Sequence, residues 1–191
     1  MRPETALSEL DRFIAALPRG VREDDARFEQ SVLDWVRALE AEDRAALSHG
    51  LEAWLTYGEP AHRLFLVILI AAALRDRTLI DRTIAMALQP QPASAAADQY
   101  AVLRLSLVDV ASRFPDNGLT AYLGTLASEF SRATTYQDQN AAARATIALC
   151  FLDRRVEYES CVAPVLASLR GRTASPLDEV TAFASLLARR R

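Results

Sequence analysis

Lysine is absent from this 191-residue sequence, and all 22 of its cationic residues are arginine. Codon usage in a GC-rich bacterial genome is the ordinary explanation, and escape from a lysine-directed modification is the alternative. Cysteine and histidine are also scarce, with two residues each. Cys150 and Cys161 are too few for a disulfide scaffold and do not form a Cys-x-x-Cys motif, so we expect two buried, reduced thiols.

β-Branched residues are few, since 11 Val and 6 Ile stand against 35 Ala and 27 Leu. Ala and Leu favour helices, whereas strands favour β-branched residues. The six glycines and eight prolines are fewer than a disordered or fibrous chain would contain. The composition therefore predicts an all-α fold, and the length is typical of one domain spanning residues 1–191.

Long hydrophobic runs are lacking as well. The longest, residues 64–74, has eleven residues, whereas a membrane-spanning helix needs about 20. Residues 1–13 contain three acids and lack the basic and apolar regions of a secretory signal. We therefore expect a cytoplasmic protein that does not bind membranes.

Apolar residues at helical spacing, bounded by Pro, Gly or polar turns, predict nine to ten helices. The predicted helices cover about 7–17, 24–40, 43–57, 60–74, 79–88, 94–113, 117–132, 137–152, 156–169 and 175–187. Residues 64–74 are apolar on every side, which predicts the centre of the core. Pro164 predicts a kink or break near Ser160, and Ser175 with Pro176 and Asp178 resembles a capping box.

When these helices are paired into antiparallel hairpins, the hairpins start near residues 24, 60, 96 and 137, about 36 to 41 residues apart. This spacing is typical of helical repeats. Residues 73–88 resemble the inter-helix turn of a HEAT repeat, but tetratricopeptide and ankyrin signatures are missing. The spacing favours a right-handed, repeat-like (HEAT/TPR-like) arrangement, and a compact helical bundle is the alternative. A short Pro-containing loop near 89–93 is expected between helical pairs.

Catalytic motifs are missing: the sequence has no Gly-x-Ser-x-Gly elbow, Gly-rich phosphate loop or His-Glu-x-x-His. Glu59 and His62 form one Glu-x-x-His, but di-iron bundles need two copies, and Ala46 stands three residues before His49. We predict no catalytic residue, metal or cofactor, and therefore no enzyme. A site assembled from scattered Arg, Asp and Tyr residues remains the enzymatic alternative.

Negative charge is concentrated near the start of the chain, where residues 1–59 hold thirteen acids and seven arginines. Six acids flank the second predicted helix: Glu23, Asp24, Asp25, Glu40, Glu42 and Asp43. Such a surface attracts a basic partner, although acids at helix starts are also favoured by the helix dipole. The pI near 5.5 argues against nucleic acid as a partner.

A second candidate surface is the predicted hairpin corner that contains Tyr57, Glu59, His62 and Arg63. An aromatic side chain among charged groups is typical of a binding surface, and an ordinary turn with helix-capping groups explains the same residues. Trp35 and Trp54 fall on apolar stripes and are predicted to lie in the core.

The leading functional hypothesis is a non-enzymatic bacterial protein that binds another protein, such as an immunity protein, a secretion chaperone or an adaptor. The alternative is an all-α ligand-binding sensor with an apolar pocket between helices. A homodimer through the first helix or the Ala-rich helix at 137–152 is a further hypothesis.

Overall fold

The computed structural model describes residues 2–55, 61–89, 97–153 and 156–190. Within these ranges it contains α-helices and one 3₁₀ turn but no strand, which confirms the all-α prediction. The helices are α1 (Pro3–Ala16), α2 (Arg19–Arg22), α3 (Asp25–Ala38), α4 (Ala41–Leu51), α5 (Ala61–Leu74), α6 (Arg77–Ala87), α7 (Ala97–Arg113), α8 (Asn117–Glu129), α9 (Tyr136–Leu152), α10 (Tyr158–Arg170) and α11 (Leu177–Arg190). The 3₁₀ turn, Glu52–Trp54, follows α4 directly.

The chain forms two compact units, Met1–Thr83 (unit 1) and Ile84–Arg191 (unit 2). The boundary between them falls inside α6. The single-domain assignment stays a prediction, and most of the expected loop near 89–93 lies outside the described residues.

The core of unit 1 is built around α5, as its apolar sequence predicts. Leu64 and residues 66–72 are buried, and α5 contacts α3, α4 and the 3₁₀ turn. Burying a Leu or Ile side chain contributes roughly 1.5 to 3 kcal/mol. Residues 64–72 of α5 therefore supply much of the hydrophobic stabilisation of this unit.

Helix α1 packs against α4 at a point where α4 carries glycine. A Cβ at Gly50 would lie 2.8 Å from the carbonyl oxygen of Pro3 and 3.0 Å from Cγ of Leu7. Both distances are shorter than a normal carbon contact, so no larger residue fits without a shift. Gly50 thus allows the close approach of the two helices.

Unit 2 is organised around α9, which contacts α7, α8, α10 and α11. One helix surrounded by four others is typical of a bundle, one of the two predicted arrangements. The small residues of α9 make this possible, and five alanines on it are fully buried: Ala141, Ala142, Ala143, Ala145 and Ala148. Because unit 2 itself covers these alanines, they offer no free surface for a homodimer.

Three of the described helices have a side-chain cap at their start. Asp24, Asp116 and Thr135 cap α3, α8 and α9, each accepting a backbone N–H with its side chain. The predicted cap of α11 is wrong, because the hydroxyl of Ser175 is buried without a hydrogen-bond partner. The helix begins one residue after Pro176 instead.

The end of α5 has an unusual residue at its cap. Arg75 has φ 56°, and its N–H and that of Asp76 donate to the carbonyls of Ala72 and Ala71. This is a Schellman motif, in which the left-handed position is normally occupied by glycine. Arginine here costs about 1 kcal/mol of backbone strain.

Cys150 and Cys161 form a disulfide, so the expectation of two reduced thiols is wrong. The chain turns back between the end of α9 and the start of α10, which brings the two Cα atoms within 6.2 Å. That separation lies in the range that a disulfide spans. Eleven residues of sequence separation gave no hint of this proximity, because it arises from the helical hairpin.

Two further local differences have simple causes. The sequence pattern missed α2, a single turn of four residues without a buried side chain. Of the kink or break expected near Ser160, the break does not occur, because α10 starts at Tyr158 and continues through Pro164. Pro164 removes one backbone hydrogen bond and its ring crowds the carbonyl of Ser160, and the burial of Val165 and Leu169 offsets this cost.

Candidate functional site

The six predicted acidic residues lie at the starts of two helices. Glu23 and Asp24 precede α3, Asp25 is its first residue, and Glu40 precedes α4, whose first turn contains Glu42 and Asp43. Helix α3 separates the two groups, and its 14 residues span about 21 Å at 1.5 Å per residue. The structure therefore forms two acidic clusters rather than one patch.

Local ion pairs compensate part of this charge. Arg19 lies 2.7 Å from Glu23, and Arg27 lies 3.3 Å from Asp24. Both pairs are exposed, and such pairs contribute at most about 1 kcal/mol. The exposed carboxylates of Asp25, Glu40 and Glu42 form no salt bridge within the described part of the chain, so each cluster keeps a negative charge.

Of the predicted hairpin corner, only Arg63 has a described side chain. Tyr57 and Glu59 and the side chain of His62 lie outside the described residues. The guanidinium of Arg63 lies 4.6 Å from the ring centroid of the buried Trp54 and 3.5 Å from the carboxylate of Asp11. These contacts hold Arg63 against unit 1, with 30% of its side chain exposed.

Sequence reasoning missed a groove of about 630 Å³ in unit 1. We call it the α4–α6 groove, because one face of α4 and the segment that joins α5 to α6 line it. Its polar lining residues are Arg44, Ser48, His49, Glu52, Arg75, Asp76 and Thr78. The lining residues on α4 have helical spacing, but the sequence did not show that residues 73–78 line the same groove.

Both carboxylates of the α4–α6 groove already have partners. Asp76 accepts a hydrogen bond from the hydroxyl of Ser48 and another, at 3.1 Å, from the N–H of Leu79 at the start of α6. Glu52 pairs with Arg82 at 2.5 Å. Their negative charge is thus partly compensated within unit 1 itself.

The cationic side chains of the α4–α6 groove have fewer hydrogen-bond partners than its carboxylates. Arg44 uses Nε to donate to the carbonyl of Leu39 at 2.8 Å, which leaves its terminal nitrogens for another acceptor. Arg75 is exposed, and His49 is exposed with Nδ1 4.0 Å from Glu52. The free hydrogen-bonding capacity of the groove is therefore mainly that of donors.

Unit 2 contains a polar cluster in which Arg104 and Tyr122 are buried and the carboxylates of Glu129 and Asp138 are partly exposed. Arg104 on α7 is 7% exposed, and its terminal nitrogens donate to Asp138 and, at 3.2 Å, to Glu129. The hydroxyl of Tyr122 is buried without a hydrogen-bond partner. Because Glu129 lies on α8 and Asp138 on α9, the hydrogen bonds of Arg104 tie α7 to both helices.

The pKa values in this cluster reflect its burial. Burial raises the pKa of the Tyr122 phenol well above its ordinary value, although Arg104 opposes the shift. For Arg104, burial would lower the pKa, but Tyr122, Tyr100 and Asp138 outweigh it, so the pKa is raised. The arginine stays charged and the tyrosine stays neutral at physiological pH.

Among the described residues, no group of three or more His, Cys, Asp and Glu side chains is arranged to hold a metal ion. None of the described helices combines the length and hydropathy needed to cross a bilayer.

No protein-family model, curated protein or solved structure matches this chain.

Proposed function

We propose that this chain is a non-enzymatic bacterial protein-binding domain whose acidic clusters bind a basic protein in the cytoplasm. An immunity protein, a secretion chaperone and an adaptor are functions of this class. The supporting observation is the charge of residues 23–43, which contain eight acids and two arginines. Asp25, Glu40 and Glu42 are exposed there.

Acidic clusters act mainly on the rate and specificity of association. Their separation of about 21 Å along α3 suits a partner whose basic residues are spread over a surface of similar length. A short basic peptide would meet only one cluster at a time. We therefore expect a folded basic partner and an affinity that falls as salt concentration rises.

The alternative, a sensor with an apolar pocket between helices, has less support. The α4–α6 groove is lined largely by charged and polar groups. A more apolar hollow of about 450 Å³ has its described lining on α10 alone, whereas a pocket between helices needs at least two.

The cytoplasmic location is also a proposal, and the disulfide bears on it. Disulfides are rare in cytosolic proteins and common in oxidising compartments. Alkylation of Cys150 and Cys161 in cells, before lysis, measures their state. Free thiols in the growing cell would agree with the cytoplasm, and a protected pair would contradict it.

The test of the binding function is capture of partners by the tagged full chain, compared with a charge-reversed variant. The variant Asp25→Arg with Glu42→Arg changes one exposed acid in each cluster. Both acids lie in the first turn of a helix, so each reversal also costs up to about 1 kcal/mol of helix-dipole stabilisation.

The matched control is Glu159→Arg with Asp178→Arg, which makes the same charge change in the first turns of α10 and α11. We expect a stoichiometric basic protein on the wild type and the control, and at least about tenfold less on the variant. The purified partner should show the same ratio of affinities by calorimetry. Equal capture by all three proteins, or no stoichiometric partner, would contradict the proposal.

A further inference from the structure

Two arginines of the α4–α6 groove have guanidinium nitrogens without a hydrogen bond among the described residues. Its volume of about 630 Å³ is within the range of small-molecule sites, about 300 to 1,000 Å³. Asp76 and Glu52 have partners within unit 1. The guanidinium of Arg75 and the terminal nitrogens of Arg44 have no hydrogen-bond partner among the described residues.

Guanidinium groups match carboxylates and phosphates, because their planar N–H groups can donate in pairs to two oxygens. Arg44 and Arg75 both line the groove, one from α4 and one from the residue that follows α5. An anionic group bound in the groove therefore has both guanidinium groups among its possible donors. His49 is available as a third donor on the α4 side.

Part of the groove wall is apolar. Ala41, Ala45, Ala73 and Leu74 line it together with the charged residues. An inorganic ion would leave these side chains in contact with water, whereas the carbon skeleton of an organic anion would cover them. The mixed lining therefore favours an organic anion over a simple ion.

The backbone at Arg75 adds a separate observation. Its φ of 56° lies in the left-handed region, where glycine is more stable than any L-residue. A long cationic side chain at this position is a local cost to stability. Left-handed residues other than glycine occur both at helix ends and at ligand sites.

We propose that the α4–α6 groove binds a small organic anion, whose carboxylate or phosphate accepts hydrogen bonds from the guanidinium groups of Arg44 and Arg75. Its carbon skeleton lies against Ala45 and Leu74. The proposal does not rest on binding at the acidic clusters. Because residues 1–59 carry excess negative charge, its affinity depends on short-range hydrogen bonds rather than on long-range attraction.

The experiment is an NMR titration of the ¹⁵N-labelled full chain at low ionic strength. Phenyl phosphate and benzoate are the organic anions, inorganic phosphate tests the need for the carbon skeleton, and benzamide is the neutral control. We expect saturable shifts in α4 and residues 73–78 with at least one organic anion. Inorganic phosphate should bind at least about tenfold more weakly, and benzamide should cause no saturable shift.

Two variants test the arginines. Arg75→Gly removes one guanidinium and relieves the backbone strain, so loss of binding cannot be attributed to unfolding. Arg44→Gln removes the other. Each should weaken binding at least about tenfold, the effect of losing one charge-assisted hydrogen bond. Arg12→Gln, a matched loss of one exposed charge on α1, should leave binding unchanged.

The relative preference for phenyl phosphate or benzoate identifies the anionic group, and either preference supports the proposal. Three results would overturn it: no saturable shift up to about 10 mM, unchanged affinity in Arg75→Gly, or an equal loss in Arg12→Gln. Inorganic phosphate binding as tightly as phenyl phosphate would overturn the role of Ala45 and Leu74.

Discussion

The guanidinium of Arg104 donates a hydrogen bond to the carboxylate of Asp138 and thereby ties α7 to the first turn of α9. Asp138 also supplies the N–H that Thr135 accepts as the cap of α9. Asp138 thus takes part both in the cap that starts α9 and in the contact of α9 with α7.

Truncation of Arg104 should destabilise unit 2. Arg104→Ala removes a buried side chain, while its two carboxylate partners stay accessible to water, and we expect a loss of about 2 kcal/mol in urea unfolding followed by circular dichroism. Arg104→Met keeps most of the volume without a buried charge, and its loss should be below about 1.5 kcal/mol. The exposed control Arg132→Ala should change stability by less than about 0.5 kcal/mol. Equal effects of Arg104→Ala and Arg132→Ala would show that the burial and pairing of Arg104 add nothing to stability.

Two glycine-to-alanine substitutions should have opposite effects. Alanine is favoured over glycine within a helix by about 1 kcal/mol, and a Cβ at Gly124 meets nothing within 4 Å. Gly124→Ala should therefore stabilise the chain by about that amount. Gly50→Ala should destabilise it by about 1 to 3 kcal/mol, because the new Cβ collides with the backbone of Pro3. Thermal unfolding measures both, and stabilisation by Gly50→Ala would refute the close contact of α1 with α4.

Relief of left-handed backbone should stabilise the chain. Arg75 and Ala174 have φ values of 56° and 50°, and replacement of either by glycine should add about 1 kcal/mol. Ala121→Gly, in the interior of α8, is the control and should cost about 1 kcal/mol. A loss of stability in both Arg75→Gly and Ala174→Gly would contradict the left-handed assignment.

Reduction of the disulfide should weaken unit 2. A bridge across 11 residues removes loop entropy from the unfolded chain worth about 3 kcal/mol. Dithiothreitol should therefore lower the free energy of unfolding by about 2 to 3 kcal/mol. The variant Cys150→Ala with Cys161→Ala should not respond to the reductant. Free thiols in the purified, denatured, non-reduced chain would exclude the bridge.

The contact between Tyr136 and Glu179 should appear in the pH dependence of stability. The hydrogen bond with Glu179 raises the pKa of Tyr136 to about 12, and the same bond lowers the pKa of Glu179. The glutamate contribution is present above its unfolded pKa and is lost as pH falls through the lowered value. The tyrosine contribution is present below its unfolded pKa and is lost as pH rises towards 12.

Tyr136→Phe should remove both effects, so that its stability differs from the wild type between those limits and the difference narrows towards acid and alkaline pH. Urea unfolding from about pH 3 to 11 measures this difference. A constant difference across the range would show that the two groups are not linked. The effect should be small because both side chains contact solvent.

Helix positions could be predicted from the sequence because apolar spacing and end signals are local. The helix over residues 64–74, for example, was predicted from the apolar run alone, without any knowledge of distant residues. The third predicted helix extended to Tyr57, whereas α4 ends at Leu51 and a 3₁₀ turn follows. Trp54 continues the apolar spacing of α4, although it lies in the 3₁₀ turn that follows the helix.

The candidate sites were harder to predict, because they depend on contacts between distant residues. Ser48 and Asp76 are 28 positions apart, and nothing in either segment points to the other. Separation of the two acidic clusters, in contrast, follows from the predicted length of α3. The six acids had been predicted to form one surface, but a helix rises about 1.5 Å per residue, and α3 therefore holds the two groups apart.

The central position of α9 in unit 2 has a consequence for synthesis on the ribosome. Helices α7 and α8 leave the ribosome before α9. In the finished protein their apolar faces pack against the alanine residues of α9. Translation from the end of α8 to the end of α9 covers residues 130–152 and takes roughly 1 to 5 s at typical rates. During that interval the nascent chain exposes side chains such as Leu103, Leu107 and Leu123, which are fully buried in the finished protein.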